Sequence, residues 1–182
     1  MSANCQITSG RTIPCRDSLG GIKNIYILSG SVAGVTAASG AISDISGSGI
    51  FYKFQLEKGI GSWTETPSPS LENGTIYYEE AVEVSFHKMD AALRNQVKVL
   101  GENTTMKIVV ETEQASTDYS GRFFYVGENR GCYLTAGSGT TGVALGDSNA
   151  YSLTLSGQEP FPCQEVTTTG NLTDALTGIT VS

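Results

Sequence analysis

TIYYEEAVEVSFHKMDAALRNQVKVLGENTTMKIVVETE, residues 75–113, changes its period twice, and the two changes decide the fold. In its first part Ile76, Tyr78, Val82, Val84 and Phe86 alternate with Tyr77, Glu79, Ala81, Glu83 and Ser85. This is a strand with one apolar and one largely polar face. The apolar positions then space out to Met89, Leu93, Val97 and Leu100, one stripe on a helix expected over about 88–100. Asp90 suits the exposed N–H groups of the first turn, and Gly101 is the expected left-handed residue past the last. Met106–Glu111 returns to a strand. A helix this short is marginal alone in water, so its stripe must pack on the sheet beside it.

Upstream, Ile22–Ser29 is a strand bounded by glycine. The Gly/Ser/Ala/Val run over Gly30–Gly49 predicts one short strand around Ala41–Ile45 and loop elsewhere. In Ile50–Glu57, Ile50, Tyr52, Phe54 and Leu56 share one face, and Lys53, Gln55 and Glu57 the other. This strand and Thr75–Phe86 read as the arms of a projecting β-hairpin over about 50–86, with residues 59–74 as its tip loop. Pro67 and Pro69 interrupt a ladder, and Asn73-Gly74 is a turn signal. Trp63, the only tryptophan, either anchors the loop on its own domain or anchors another chain. The enrichment of Trp at binding hot spots favours the second.

Downstream, Gly121–Val126, Gly131–Ala136 and Tyr151–Ser156 are further strands separated by turn residues. The fold class is therefore mainly β, a sandwich or barrel with one flanking helix. The 182 residues suit one domain over 1–165, with an N-terminal arm (1–21) and a polar C-terminal segment (166–182) that is either mobile or docks on a neighbour.

The net charge of −7 and 11 thinly spread Lys and Arg argue against a nucleic-acid clamp. Instead they suit ordinary solubility, or a surface past which a polyanion slides. The start, MSANCQITSG, lacks the pattern of a secretory signal, and no apolar run is long enough to span a bilayer. Cys5, Cys15, Cys132 and Cys163 are expected to be free thiols, with a Cys5–Cys15 bridge as the alternative. The missing CxxC spacing speaks against a cysteine zinc site, and His87, the only histidine, excludes sites built on several histidines.

No cofactor, metal or catalytic constellation is expected. His87 lacks an evident nucleophile and orienting acid. Gly137-Ser-Gly139-Thr-Thr-Gly142 matches a dinucleotide fingerprint in letters only, because no helix-length segment follows. Glu79 and Glu83 share an exposed strand face while Glu80 points the other way, so they read as a solvated or lumen-lining stripe rather than a catalytic pair.

The order of elements resembles a known family. Its marks are CRDSLGGIKNIYIL at Cys15–Leu28, FHKMDAALRNQVKVL at Phe86–Leu100, KIVVETE at Lys107–Glu113, GRFFYVGENRG, and TTGVALGDSNAYSLTLSGQEPFP at Thr140–Pro162. Over about residues 15–165 the chain resembles the tail tube (major tail) proteins of long-tailed bacteriophages, in particular a divergent group from phages of Bacteroidetes-like hosts. The resemblance implies a non-enzymatic virion protein, assembled in the host cytoplasm into hexameric rings that stack into a hollow tail. DNA and the tape-measure protein pass through its lumen, and sheath, terminator and baseplate proteins are further partners. It implies that Lys53, Gln55, Glu57, Glu79 and Glu83 face the lumen, and that Trp63, Pro67 and Pro69 contact the next ring. The competing reading is a carbohydrate- or receptor-binding β-sandwich with Trp63, Tyr77 and Tyr78 as a sugar platform.

Overall fold

Glycine, serine and alanine, rather than bulky apolar residues, build much of the longest strand pair. The computed structural model describes residues 7, 9–13, 16, 18–115 and 121–182. It is mainly β with one α-helix. β1 (Ile22–Ala38) and β2 (Ala41–Gln55) form a long antiparallel hairpin from Asn24↔Gln55 to Ala38↔Ala41. Its two-residue turn, Ser39-Gly40, has both φ angles positive (55° and 82°), as a twist-matched primed turn requires. Halfway along, Gly30 faces Gly49, and a Cβ on Gly30 would lie 2.2 Å from the Ser48 carbonyl oxygen. The strands approach there too closely for any side chain.

β3 (Ser62–Ser70), β4 (Thr75–His87), α1 (Ala91–Glu102), β5 (Ile108–Ala115), β6 (Gly121–Val126), β7 (Cys132–Thr140), β8 (Ala150–Glu159), β9 (Gln164–Val166) and β10 (Leu176–Val181) follow. One sheet runs β1-β5-β6-β9-β2-β10, and the β1–β2 pairing closes its first five strands into a small barrel. The other is an antiparallel four-stranded sheet, β3-β4-β8-β7.

Two cores result. Between the sheets lie Ile25, Ile27, Val82, Val84, Phe86, Ile108, Val110, Leu153 and Leu155. Inside the barrel lie Tyr26, Leu28, Ile42, Ile45, Phe51, Val109, Phe123 and Tyr125. Strands β1, β2, β5 and β6 are therefore apolar on both faces, which hides the period-2 signal.

Several expectations change. The strand over 50–57 does not pair with Thr75–Phe86: it is the end of β2 and lies in the other sheet. The hairpin over 50–86 with a 59–74 loop is replaced by two hairpins, β1–β2 and β3–β4. Pro67 and Pro69 sit within β3, which is an edge strand and tolerates residues that cannot donate. The Gly30–Gly49 run is strand almost throughout, its small residues weakening the hydrophobic alternation. Residues 166–182 are neither mobile nor an arm. Leu172, Ala175 and Ile179 are buried in the barrel core, and β10 pairs parallel with β2.

Asp90 caps α1 as expected, accepting from the Leu93 N–H at 2.7 Å. Leu93, Val97 and Leu100 pack on the inter-sheet core. Gly101 does not end the helix: it lies inside it, and Asn103 is the C-cap, in extended conformation. The Cys5–Cys15 alternative lies outside the described residues, while Cys132 and Cys163 are free thiols.

Candidate functional site

The four-stranded sheet has one face in the core and one open to solvent. Its register builds the open face in rows: Ser62–Glu83–Thr154–Ala136, Thr64–Ala81–Ser156–Tyr133, and Ser85–Ser152–Ser138, with Thr66–Glu79–Gln158 beside them. Small hydroxyl residues dominate, and they bond to one another: Ser85 Oγ to Ser152 Oγ at 3.3 Å, and Thr135 Oγ1 to Ser156 Oγ at 3.0 Å. Glu79 accepts from Tyr77 Oη at 3.2 Å and Gln158 Nε2 at 3.4 Å, and Glu83 from Ser62 Oγ at 3.4 Å. In these rows the only charged side chains are carboxylates. A shallow trough of about 590 Å³ crosses the face between the β2–β3 connection and β7.

Glu79 and Glu83 thus share the open face, as the alternation implied; Lys53 does not join it, while Gln55 and Glu57 border its end, lining a recess with Ser85 and His87. Lys53 stands on the side of β2 that carries the fully buried Phe51, beside Tyr26 of the barrel core. There the Lys53 ammonium lies 5.7 Å from the centre of the Tyr26 ring, a cation–π contact. Glu57 lies past β2, 3.8 Å from His87 Nε2.

Trp63 is not at a projecting tip. It pairs with Val82 near the start of β3, points inward and stacks on Phe124 with ring centres 4.9 Å apart. The own-domain anchor is the reading the structure supports. Pro67 and Pro69 are exposed on the open edge of β3. Tyr77 faces outward, while Tyr78 pairs with Pro67 and Glu159 on the opposite face. Trp63, Tyr77 and Tyr78 therefore form no common platform.

A buried carboxylate group escaped the sequence reading. Glu80 and Glu159, 1% and 2% exposed, stand on the core side of β4 and β8. Glu80 Oε2 accepts from the Gly127 N–H at 2.8 Å. Glu159 accepts from the N–H groups of Asn129 (3.0 Å), Arg130 (2.8 Å) and Gly131 (3.3 Å). From the connection just before β5, Lys107 Nζ donates to the carbonyls of Gly127, Glu128 and Asn129. Together these groups satisfy the β6–β7 turn, where the chain passes from barrel to four-stranded sheet. Burial pushes Glu80 up to about 7; the Gly127 N–H opposes this, and the charges of Glu159 and Glu65 add to it. The available signal was a glutamate in the apolar register Tyr78–Glu80–Val82, and another after Leu153–Leu155–Gly157.

Glu65, Glu80 and Cys163 offer ligand atoms within 4.8 Å of one another. Each carboxylate already takes a backbone N–H, Glu65 that of Cys163 at 2.6 Å. The Cys163 thiol is pushed far up by burial and the adjacent carboxylates, so in the metal-free chain it stays protonated. Hydrogen bonding therefore accounts for the cluster. Around His87, Ser148 Oγ is 3.5 Å from Nδ1, and the acid that could orient the ring, Glu57, is 71% exposed at 3.8 Å. Both separations exceed the reach of an assembled nucleophile–base–acid relay. The glycines of Gly137–Gly142 lie in β7 and its following loop, with no helix after them. Among the described residues no helix is long and apolar enough to cross a membrane. Comparison with known proteins adds no identity: no family model, curated protein or solved structure matches this chain.

Proposed function

We propose that this chain is a structural subunit of a hollow tube, the tail tube of a long-tailed bacteriophage, whose bore is lined by the open face of the four-stranded sheet. The observation that carries the reading is the sheet itself. Among the described residues it has two edge strands, β3 and β7, the latter bridged by Met106 at Cys132 and open beyond it, and a hydroxyl-rich face whose charges are carboxylates.

The strands alternate in direction, so β3 and β7 run opposite ways. When copies are related by rotation, the β7 of one meets the β3 of the next in antiparallel sense, with the pairing confined to the Ser62–Thr66 stretch because Pro67 and Pro69 cannot donate. Such a head-to-tail contact closes into a ring. Six subunits of four strands give twenty-four strands, and at ~4.8 Å per strand a barrel roughly 37 Å across, wider once the strands tilt. That admits a DNA duplex. Glu79 and Glu83 would then repel passing phosphates, and hydroxyls would offer no fixed cation to hold them. In this role the protein acts in the virion, with DNA and a tape-measure protein as transient occupants of the bore.

Negative-stain electron microscopy of the purified protein over a concentration series tests the reading. Hollow rings or tubes are the expected outcome. Separate globular particles at every concentration would overturn it and favour a binding module.

A further inference from the structure

Two of the most exposed apolar side chains in the protein, Val143 and Leu145, stand on the same short loop between β7 and β8. The loop is not slack. Asp147 Oδ2 accepts from the N–H groups of Val143 and Ala144, both at 2.8 Å, and the Asp147 N–H donates to the Ala144 carbonyl at 3.0 Å. Gly142, at φ +68°, lets the loop fold back: a Cβ there would lie 2.2 Å from Asp147 Cβ. At the base, the Lys88 N–H donates to the Asn149 carbonyl at 2.8 Å. The chain thus fixes the shape of a loop whose apolar residues it does not bury. Such preorganisation lowers the ordering cost of a contact with another surface.

A matching surface lies at the opposite edge of the same sheet. Below the free edge of β3 a cleft of about 360 Å³ opens on the side of the molecule, lined by Leu19, Ile22, Trp63 and Phe124. Among the described residues Arg122 is the one charged side chain that lines it, paired with Glu165 at 3.1 Å. Asp147 is the only charged residue of the loop, and the half-exposed Arg122 guanidinium, although paired with Glu165, keeps further donors with which a carboxylate can bond. The end of β7, where the loop springs, and the start of β3, where the cleft opens, lie at the same end of the sheet.

We infer that the β7–β8 loop docks in the β3-edge cleft of a second copy of this chain, Val143 and Leu145 seating against Trp63 and Phe124. The inference rests on the sideways association proposed above and names the contact that fixes its register. Finger and cleft are different surfaces of one chain, so the contact propagates head to tail.

Disulfide trapping tests it. In a chain whose Cys5 and Cys15 are replaced by serine, Leu145→Cys and Leu19→Cys are made separately and together. The expected result is a ladder of covalent oligomers from the double variant on oxidation, and covalent dimers when the two single variants are mixed. Each single variant alone should give none. Rings seen by microscopy without any trapped product would overturn the docking and leave the tube reading standing. Trapped oligomers that never close into rings would support the docking and overturn the tube. A disulfide within one chain, or no association by either measurement, would overturn the docking. Val143→Ser/Leu145→Ser should raise the concentration needed for assembly about tenfold or more, with Tm unchanged because neither side chain touches its own core. An unchanged assembly concentration would count against the finger.

Discussion

Glu80 illustrates how one side chain can set the pH response of a fold. Its carboxyl is held near 7 in the folded chain by burial and ionises near 4.5 when unfolded. The raised value means that folding favours the protonated form. Its contribution is complete below about 4.5 and is lost as pH rises through about 7. Glu80→Gln, which keeps an acceptor for the Gly127 N–H, should therefore gain stability over the parent between pH 4.5 and 7, by up to about 3 kcal/mol above that window. Urea unfolding at a series of pH values measures it, and a constant difference would refute the assignment. Glu111 has the opposite sign. Burial alone would raise it, but hydrogen bonds from Asn24, Tyr26 and Lys23 outweigh that and hold it low, so its support fades as pH falls. At the Gly30–Gly49 pair, Gly49→Ala should cost 1–3 kcal/mol or more, of the order expected for a forced backbone shift. A thermal melt within a degree of the parent would show that the strands can part there.

Among the elements, β3 explains both what the sequence disclosed and what it concealed. The central segment was legible because β4 has one wet face and α1 one apolar stripe, so each carries a clean period. In β3 the alternation Trp63–Glu65–Pro67–Pro69 has an acid and two prolines on its inward or edge positions, so it reads as loop. The first half of β1 and the end of β2 face two cores, and their distal halves are rich in glycine, serine and alanine. Neither pattern announces a strand. Glu79 and Glu83 could be placed on one face from spacing alone, whereas Lys53 could not, because a second core behind β2 has no local signature. The same β3 yields a further expectation. Its prolines remove two N–H donors from an open edge, which guards it against indiscriminate pairing. Pro67→Thr/Pro69→Thr should leave the monomer fold intact and increase irregular aggregation, visible by light scattering. Unchanged solubility would mean the edge is protected in some other way. Removing residues 59–74 would delete β3 together with the Trp63–Phe124 stack, so the segment is no dispensable loop.

For the whole molecule, the two sheets divide the work in the proposed tube: the barrel supplies stability and the four-stranded sheet the wall. The electrostatics of the wall can be tested there. Glu79→Lys/Glu83→Lys should still assemble, since both side chains lie on the open face, but its tubes should retain DNA at low salt and release it as salt rises. Co-sedimentation of short duplexes with parent and variant tubes reads this out. Equal retention by both would place the two residues away from the bore.

The parallel pairing of β10 with β2 joins residues about 130 positions apart, Ile45 with Leu176. A ribosome adding roughly 5–20 residues per second reaches β10 on the order of ten seconds after β2 emerges. For that interval the flank of β2 that β10 covers stays unpaired. The distal half of the β1–β2 hairpin is rich in glycine and serine, and Val32, Val35, Ile42 and Ile45 are the β-branched apolar side chains there that the barrel core later covers. Full pairing of β2 is thereby tied to the emergence of a strand made well over a hundred residues later.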